Sequence, residues 1–309
     1  MKKITLFSIC IILSAFAFGQ EAAKKVFDTA KHVEVAPDTV KPWTFGGFGS
    51  LSVNQAYFAN WAAGGESSLG ITALLNVHAD YKKGHHSWTN NLDLAFGYMD
   101  NAIASAAEQM RKTDDRIEFT TAYGYGISKH WDLTALVNLR TQFAAGYKYP
   151  NDSTVISNFM SPGYLIGGLG VTWKPAASFA VFISPLAARM TFVTDRQLSD
   201  SSAFGVDSSK HVKTELGAYV RMTLNQDIAK NINISSTLDL YSNYLKNFGN
   251  IDVNWNVLIT MKVTKWMATT ISTSLIYDDD VKIHDLQGKT GPRTQFKENI
   301  GVGLSYKIH

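Results

Sequence analysis

The chain has 309 residues, of which 45% are hydrophobic, 12% aromatic and 18% charged, with a formal net charge of +3. A mean hydropathy of −0.07, with no long apolar block after the first twenty residues, excludes a helical membrane protein. The apolar and aromatic content excludes a disordered chain. Removing Lys2 and Lys3 with a leader takes the net charge from +3 to +1, so no basic field draws nucleic acid.

Residues 1–19 read as a signal peptide. Lys2 and Lys3 precede an apolar run from Ile4 to Phe18, and the small residues Ala17 and Gly19 prepare cleavage near Gly19/Gln20. Cys10 lies inside this leader after Ile9, a poor context for lipid attachment, so the mature chain carries no cysteine and no thiolate chemistry. Residues 20–42 lack a strong period, contain Pro37 and Pro42, and are expected to form a periplasmic tail or linker.

From Trp43 onward apolar and polar residues alternate with the period of a strand. Trp88, Leu92, Leu94, Phe96 and Tyr98 share one face, with Asp93 and Gly97 on the other. Ile117, Phe119 and Tyr123 oppose Arg116 and Glu118, and Leu133, Val137 and Leu139 oppose Asp132 and Arg140. Leu216, Val220 and Met222 oppose Glu215, Tyr219 and Arg221. Such segments fall near residues 43–57, 67–81, 87–99, 115–128, 131–147, 163–174, 178–193, 211–226, 231–245, 250–263, 265–277 and 295–308. The segment 178–193 breaks the pattern, because both of its parities are apolar and Pro185 interrupts it.

Connections alternate between short turns and longer polar loops, with the longer ones over 101–114, 148–162, 194–210 and 278–294. Tryptophans Trp43, Trp88, Trp131, Trp173 and Trp266 fall beside the short turns, and Tyr98, Tyr147, Tyr164, Tyr244 and Tyr277 at the opposite ends. Two aromatic girdles bounding an apolar band are what a bilayer demands of a barrel. In hydrocarbon every backbone polar group must be paired within the protein, and only an edgeless sheet does this with strands. The expected fold is therefore all-β: a single transmembrane antiparallel barrel of about twelve strands over 43–309. Short turns would face the periplasm and longer loops the exterior, in the outer membrane of a Gram-negative bacterium. Its partners would be outer-membrane lipid and, during biogenesis, the barrel-insertion machinery. Glu298 is out of place, in phase with Phe296, Ile300, Val302 and Leu304, and is expected above the lipid band or at a bulge.

Particular residues carry a resemblance: Trp43 with Gly46 and Gly47, Asn60-Trp61 with Gly64-Gly65, the run Ser157 to Tyr164, Ser184-Pro185, Thr191 to Val193, Phe204 to Val206, Gly217 to Tyr219 and Tyr277 to Asp280. Through these the chain resembles a Bacteroidota outer-membrane β-barrel family catalogued as domain of unknown function 3078. The resemblance spans about Trp43 to His309 and implies outer-membrane location, with no known activity and no site residues to carry over. The last strand departs from the common assembly signal by finishing on Ile308-His309, with Tyr306 as its nearest aromatic residue.

The polar face holds the candidate site. Asp93, Glu118, Arg140, Glu215, Arg221 and Asp239 are expected to line the lumen, with Glu118 opposite Arg140 across a hairpin. They either shape a charged pore or neutralise one another as a plug, since twelve strands lie between filled and open barrels. Asp278, Asp279 and Asp280, followed by His284 and Asp285, form a weak candidate for calcium or for a protease-like set, beside the plainer reading of a solvated loop. His85 and His86 next to Ser87 have no acid partner in their turn. The loop Asn60 to Glu66 is followed by a strand, so its glycines serve a tight turn rather than a phosphate. No catalytic residue, cofactor or metal is assigned. The leading functional expectation is a passive channel or small-solute transporter. The alternative is a non-conducting barrel serving assembly or surface contacts, and last comes an outer-membrane hydrolase using Asp279 or His284.

Overall fold

In the computed structural model, which describes residues 41–56, 67–102, 110–148, 153–284 and 289–308, the alternating segments become paired strands. They are β1 (Trp43–Ala56), β2 (Ser67–Lys83), β3 (His86–Ala102), β4 (Met110–Gly126), β5 (Trp131–Thr141), β6 (Gly146–Tyr147), β7 (Val155–Ser157) and β8 (Gly163–Ala176). There follow β9 (Phe179–Phe192), β10 (Val212–Ala229), β11 (Ile232–Asn243), β12 (Asp252–Lys262), β13 (Met267–Tyr277), β14 (Lys282–His284), β15 (Thr290–Pro292) and β16 (Gln295–Ile308). A short helix α1 (Arg196–Asp200) sits between β9 and β10, its N-terminus capped by the Asp195 carboxylate. The expected leader, the tail up to residue 40 and the loop Asn60 to Glu66 lie outside the described residues.

Twelve of these strands close a barrel in the order β1-β16-β13-β12-β11-β10-β9-β8-β5-β4-β3-β2. Closure is antiparallel, from Gly47 opposite Ile308 to Val53 opposite Val302. The two small sheets β6-β7 and β14-β15 stand outside the ring, both at the long-loop end. Pairing nearest neighbours in sequence leaves no backbone edge within the wall, so the sheet satisfies its own N–H and C=O groups.

Two segments end elsewhere than the sequence indicates. Strand β4 begins at Met110 rather than at 115, because its ladder with β3 continues past a bulge at Gly97 up to Asp100 opposite Met110. Polar side chains tolerate this extension where the wall rises into water. Strand β5 ends at Thr141 rather than at 147. Gly146 and Tyr147 instead pair with β7 in a loop hairpin, so Tyr147 is not part of the barrel wall.

The outward face is apolar throughout the middle of the wall. Leu133, Leu169, Leu186, Leu216, Val302 and Leu304 are all exposed, Leu169 at 72%. A contiguous belt of this kind far exceeds what a water-soluble surface carries. The buried apolar cluster is small and lies inside the ring: Leu136, Phe182, Ala187, Tyr219 and Tyr241. A second one, Val193, Leu198 and Val206, holds the β9–β10 connection together around α1.

Candidate functional site

Because side chains alternate along each strand, the inward set is decided once one residue per strand is placed. At mid-height this puts Glu118 of β4, Arg221 of β10 and Asp239 of β11 inside, all buried. The Arg221 guanidinium reaches Glu118 Oε1 at 3.0 Å and Asp239 Oδ1 at 3.1 Å. Strands β9, β8 and β5 separate β10 from β4 on the shorter way round, so the Arg221–Glu118 pair is a chord across the lumen. Tyr219 donates to Asp239 at 2.6 Å, Asn254 donates to its other oxygen at 3.2 Å, and Asn138 donates to Glu118 at 2.9 Å. One level outward, Arg116 donates to Asn256 at 3.3 Å. Five strands lie between β4 and β12 on either side, so this contact joins opposite walls. Asp93, with Asn76 donating to it at 2.6 Å and Asn91 donating to its other oxygen, completes the layer. Three carboxylates (Asp93, Glu118, Asp239) thus accompany three guanidiniums (Arg116, Arg140, Arg221), and the layer is neutral.

Above it lies a second cluster centred on Arg189, a residue that the alternation in the sequence does not single out. Arg189 pairs with Glu215 at 2.8 Å and Asp252 at 2.5 Å, and stacks 4.4 Å from the Tyr241 ring centre. Its inward aim follows from a bulge. Between Gly217 opposite Ala187 and Tyr219 opposite Ser184 the register shifts, and β8 shows the same shift between Leu169 and Val171. The extra residue at Pro185-Leu186 resets the phase. Phe182 and Ser184 before it, and Ala187, Arg189 and Thr191 after it, are therefore all buried. This is why both parities of 178–193 look apolar. Ser184 Oγ donates to the carbonyls of Leu169 at 2.8 Å and Leu186 at 2.9 Å, occupying acceptors freed at the bulge. Glycines of β8 make room for it: a Cβ on Gly170 would lie 2.0 Å from the Ile183 carbonyl oxygen, and one on Gly168 2.7 Å from Ser184 Oγ.

The acidic run folds onto this cluster. Lys213 bridges Glu215 at 2.9 Å and Asp280 at 2.6 Å, and Lys246 reaches Asp280 at 2.9 Å. Asn247 donates to Asp279 at 2.9 Å, and the Asp279 amide donates to Asp252 at 3.1 Å. Burial works to raise Asp280, but hydrogen bonds from Lys213 and Lys246 outweigh it and hold the carboxyl below its ordinary range. Asp278 is different. Burial, reinforced by the charge of Asp252, pushes it up against the pull of Arg189, whose nearest nitrogen is 4.0 Å away. Five carboxylates (Glu215, Asp252, Asp278, Asp279, Asp280) thus meet three cations (Arg189, Lys213, Lys246), an excess of two negative charges. Cations and amides take up the Asp279 and Asp280 carboxylates, and no cluster suited to a metal ion occurs among the described residues. Among the described residues Asp278, Asp279 and Asp280 thus form part of a salt-bridged cover over the lumen. Asp285 and the side chain of His284 lie outside the described residues.

Glu118 does stand opposite Arg140 in register, but its ion pair goes across the lumen to Arg221, while the Arg140 guanidinium lies over the Tyr164 ring at 5.1 Å. Tyr164 therefore leaves the proposed girdle: it lines the lumen in phase with Ile166. Outer-end aromatics that do face outward include Phe96, Tyr98 and Phe143, with ring centres 5.1 and 5.7 Å apart in the two pairs that Phe96 makes. Tyr244 donates to the Pro185 carbonyl at 2.5 Å. Tyr277 is aligned with Val253, on the outward parity of Trp255. At the turn end Trp43 packs on Trp88 at 5.7 Å and Trp131 on Trp173 at 6.3 Å, and Trp266 is exposed. Glu298 lies in an unbroken register opposite Thr273 and is exposed, so no bulge turns it inward; it sits near the outer end of β16. His86 meets the Tyr123 hydroxyl at 2.6 Å, whereas Ser87 turns to the Gly124 carbonyl at 3.4 Å. Adjacent strand residues point to opposite faces, so the two form no catalytic relay.

Between the two charged layers lies a cavity of about 40 Å³, lined among others by Arg140, Tyr164, Arg189, Tyr241, Asp252 and Asp278. That is room for about three water molecules. Farther out Lys297 of β16 reaches Asp114 of β4 at 2.5 Å and Asn299 donates to its other oxygen at 3.1 Å, another chord.

Comparison with known proteins gives a family match over part of the chain. The family described as "Protein of unknown function (DUF3078)" matches residues 53–147, from β1 into the β6–β7 hairpin. No curated protein matches the sequence. Among solved structures, an outer-membrane channel from Pseudomonas putida F1 is similar with a TM-score of 0.37 at 15% identity, covering 89% of this chain and 99% of that one. The translocator domain of the autotransporter NalP from Neisseria meningitidis gives 0.33 at 11%, covering 95% and 96%. The NanC porin gives 0.36 at 8%, covering 86% and 97%.

Proposed function

We propose that this chain, which resembles a family of unknown function over residues 53–147, is an outer-membrane barrel whose lumen is a narrow, charge-lined path for small solutes. In this reading the ion pairs of Arg221 with Glu118 and Asp239 close the path at mid-height. The carrying observation is the Arg221–Glu118–Asp239 bridge across the lumen. A barrel that needed only a plug would gain as much from apolar filling, since well-packed apolar residues replace buried ion pairs at no loss or with a gain. Ionisable groups kept at membrane depth mark a solute or ion path. The outward apolar belt and the closed ring favour the outer membrane, which is where edgeless β-walls span.

Planar-bilayer recording tests the reading. The expected result is a small conductance to monovalent ions that rises several-fold in Arg221→Met, together with liposome swelling by glycine but not by a trisaccharide. A folded barrel silent in both forms overturns it. One observation favours a second reading, a non-conducting barrel that makes surface contacts. The β9–β10 connection is built around its own buried cluster of Val193, Leu198 and Val206, more order than a solvated loop requires. A stoichiometric partner retained in mild detergent, from a barrel that does not conduct, would establish that reading instead.

A further inference from the structure

The cavity between the two charged layers holds groups with unmet needs. Most of its charged lining is committed: Arg189 to Glu215 and Asp252, and Asp239 to Arg221 and Tyr219. Arg140 is not. Among the described residues its guanidinium makes no hydrogen bond or ion pair and only overlies the Tyr164 ring at 5.1 Å. Asp278 is the opposite case: one carboxylate oxygen accepts from the Asp280 amide at 2.9 Å, but the other has as its nearest cation a shared one, 4.0 Å away. A third group is the Tyr241 hydroxyl, which is buried, lines the same cavity and has no hydrogen-bond partner. A buried polar group without a partner is costly unless something fills the role.

We infer that this cavity is a binding site for a small zwitterion of the α-amino-acid type, its carboxylate on Arg140 and its ammonium on Asp278. A planar guanidinium takes a carboxylate in two parallel hydrogen bonds. The ammonium supplies positive charge where carboxylates exceed cations by two. The Tyr241 hydroxyl donates to the ligand, and the faces of Tyr164 and Ile276 flank its carbon atoms. Size sets the limit. A volume of about 40 Å³ holds about three waters, or about 90 Å³ of liquid, which matches a ligand of about five or six heavy atoms. An anion alone would leave Asp278 with its nearest cation 4.0 Å away, and a cation alone would leave the Arg140 guanidinium without a hydrogen-bond acceptor.

The inference rests on the lumen reading proposed above, but its test does not depend on conduction. Glycine, acetate and methylammonium are titrated separately into the refolded barrel in detergent and followed by saturation-transfer NMR. Glycine is expected to bind at least tenfold more tightly than either fragment, and phenylalanine more weakly than glycine. Arg140→Gln and Asp278→Asn should each lower glycine affinity at least tenfold, with folding checked by heat-dependent gel mobility. Arg140→Gln should leave methylammonium unchanged, and Asp278→Asn should leave acetate unchanged. If wild-type barrel binds acetate as well as glycine, or binds no glycine, the inference fails even without the variants. It also fails if folded Arg140→Gln retains wild-type affinity. Glycine binding by a barrel that never conducts would support the site and remove the path; conduction without glycine binding would do the reverse.

Discussion

Replacing Arg221 by methionine keeps the aliphatic stem and removes the guanidinium that spans the lumen. Glu118 and Asp239, 4% and 8% exposed, are then left as buried carboxylates with only amide and hydroxyl donors from Asn138, Asn254 and Tyr219. Removing one partner from a buried pair costs about 3–5 kcal/mol. Arg116 and Arg140 occupy the same layer and offset part of the loss, so the lower end, about 3 kcal/mol, is the expected value. That corresponds to roughly a hundredfold change in the folding equilibrium. Urea unfolding of the barrel in lipid vesicles at neutral pH, followed by tryptophan fluorescence, measures it. The control is the triple variant Arg221→Met, Glu118→Gln, Asp239→Asn, which removes both carboxylates together with the guanidinium that bridges them and should lose clearly less than the single variant. If the single variant loses under about 1 kcal/mol, or the triple loses as much as the single, the lumen charges are solvated and the bridging argument is wrong.

Three further predictions probe the wall, the bulge and the cover. Leu169→Arg, at a position 72% exposed on the outward face of β8, should cost about 2–4 kcal/mol in vesicles; in a water-facing wall the same change would be nearly neutral. Gly170→Ala would place a Cβ 2.0 Å from the Ile183 carbonyl oxygen, whereas nothing lies within 4 Å of one at Gly291. The first should slow or prevent refolding, costing about 1–3 kcal/mol or more, and the second should change the unfolding midpoint very little. The cover should respond to pH with opposite signs at neighbouring residues. Asp280, held below its ordinary range, stabilises when ionised, and that contribution is lost as pH falls through its folded pKa. Asp278 is raised, so the folded state keeps that proton longer than the unfolded chain, and stability declines as pH rises through the window above the ordinary carboxylate value. Thermal melts in detergent should therefore find Asp278→Asn neutral or stabilised at neutral pH and Asp280→Asn destabilised; the reverse order would refute the assignment.

Much of the architecture is legible because its cause is local. A strand exposed to lipid on one side must alternate, and Leu133 to Leu139 (Leu136 apart) and Leu216 to Leu224 do so, which sets facing as well as strand count. The same rule places Asp93, Glu118, Arg140, Glu215, Arg221 and Asp239 inside without any knowledge of their partners. Strand limits are less legible where the wall leaves the bilayer. There the lipid no longer imposes alternation, so β4 extends back to Met110 and the chain around Tyr147 leaves the wall for a loop hairpin. Tyr164 faces the lumen rather than the girdle for a related reason: proximity to a strand end says nothing about parity, and a tyrosine suits an aqueous lumen as well as an interface.

Alternation and the solvent around the wall are properties of neighbouring residues, and from them the sequence by itself determines a twelve-stranded barrel with an apolar exterior and a charged interior. Which charges meet is decided only in three dimensions. Arg221 finds Glu118 at a separation of 103 residues because closing the ring brings non-adjacent strands within the length of two side chains. Arg189 enters the lumen because one extra residue at Pro185-Leu186 reverses the phase of β9, and no local pattern records where such a reversal leads.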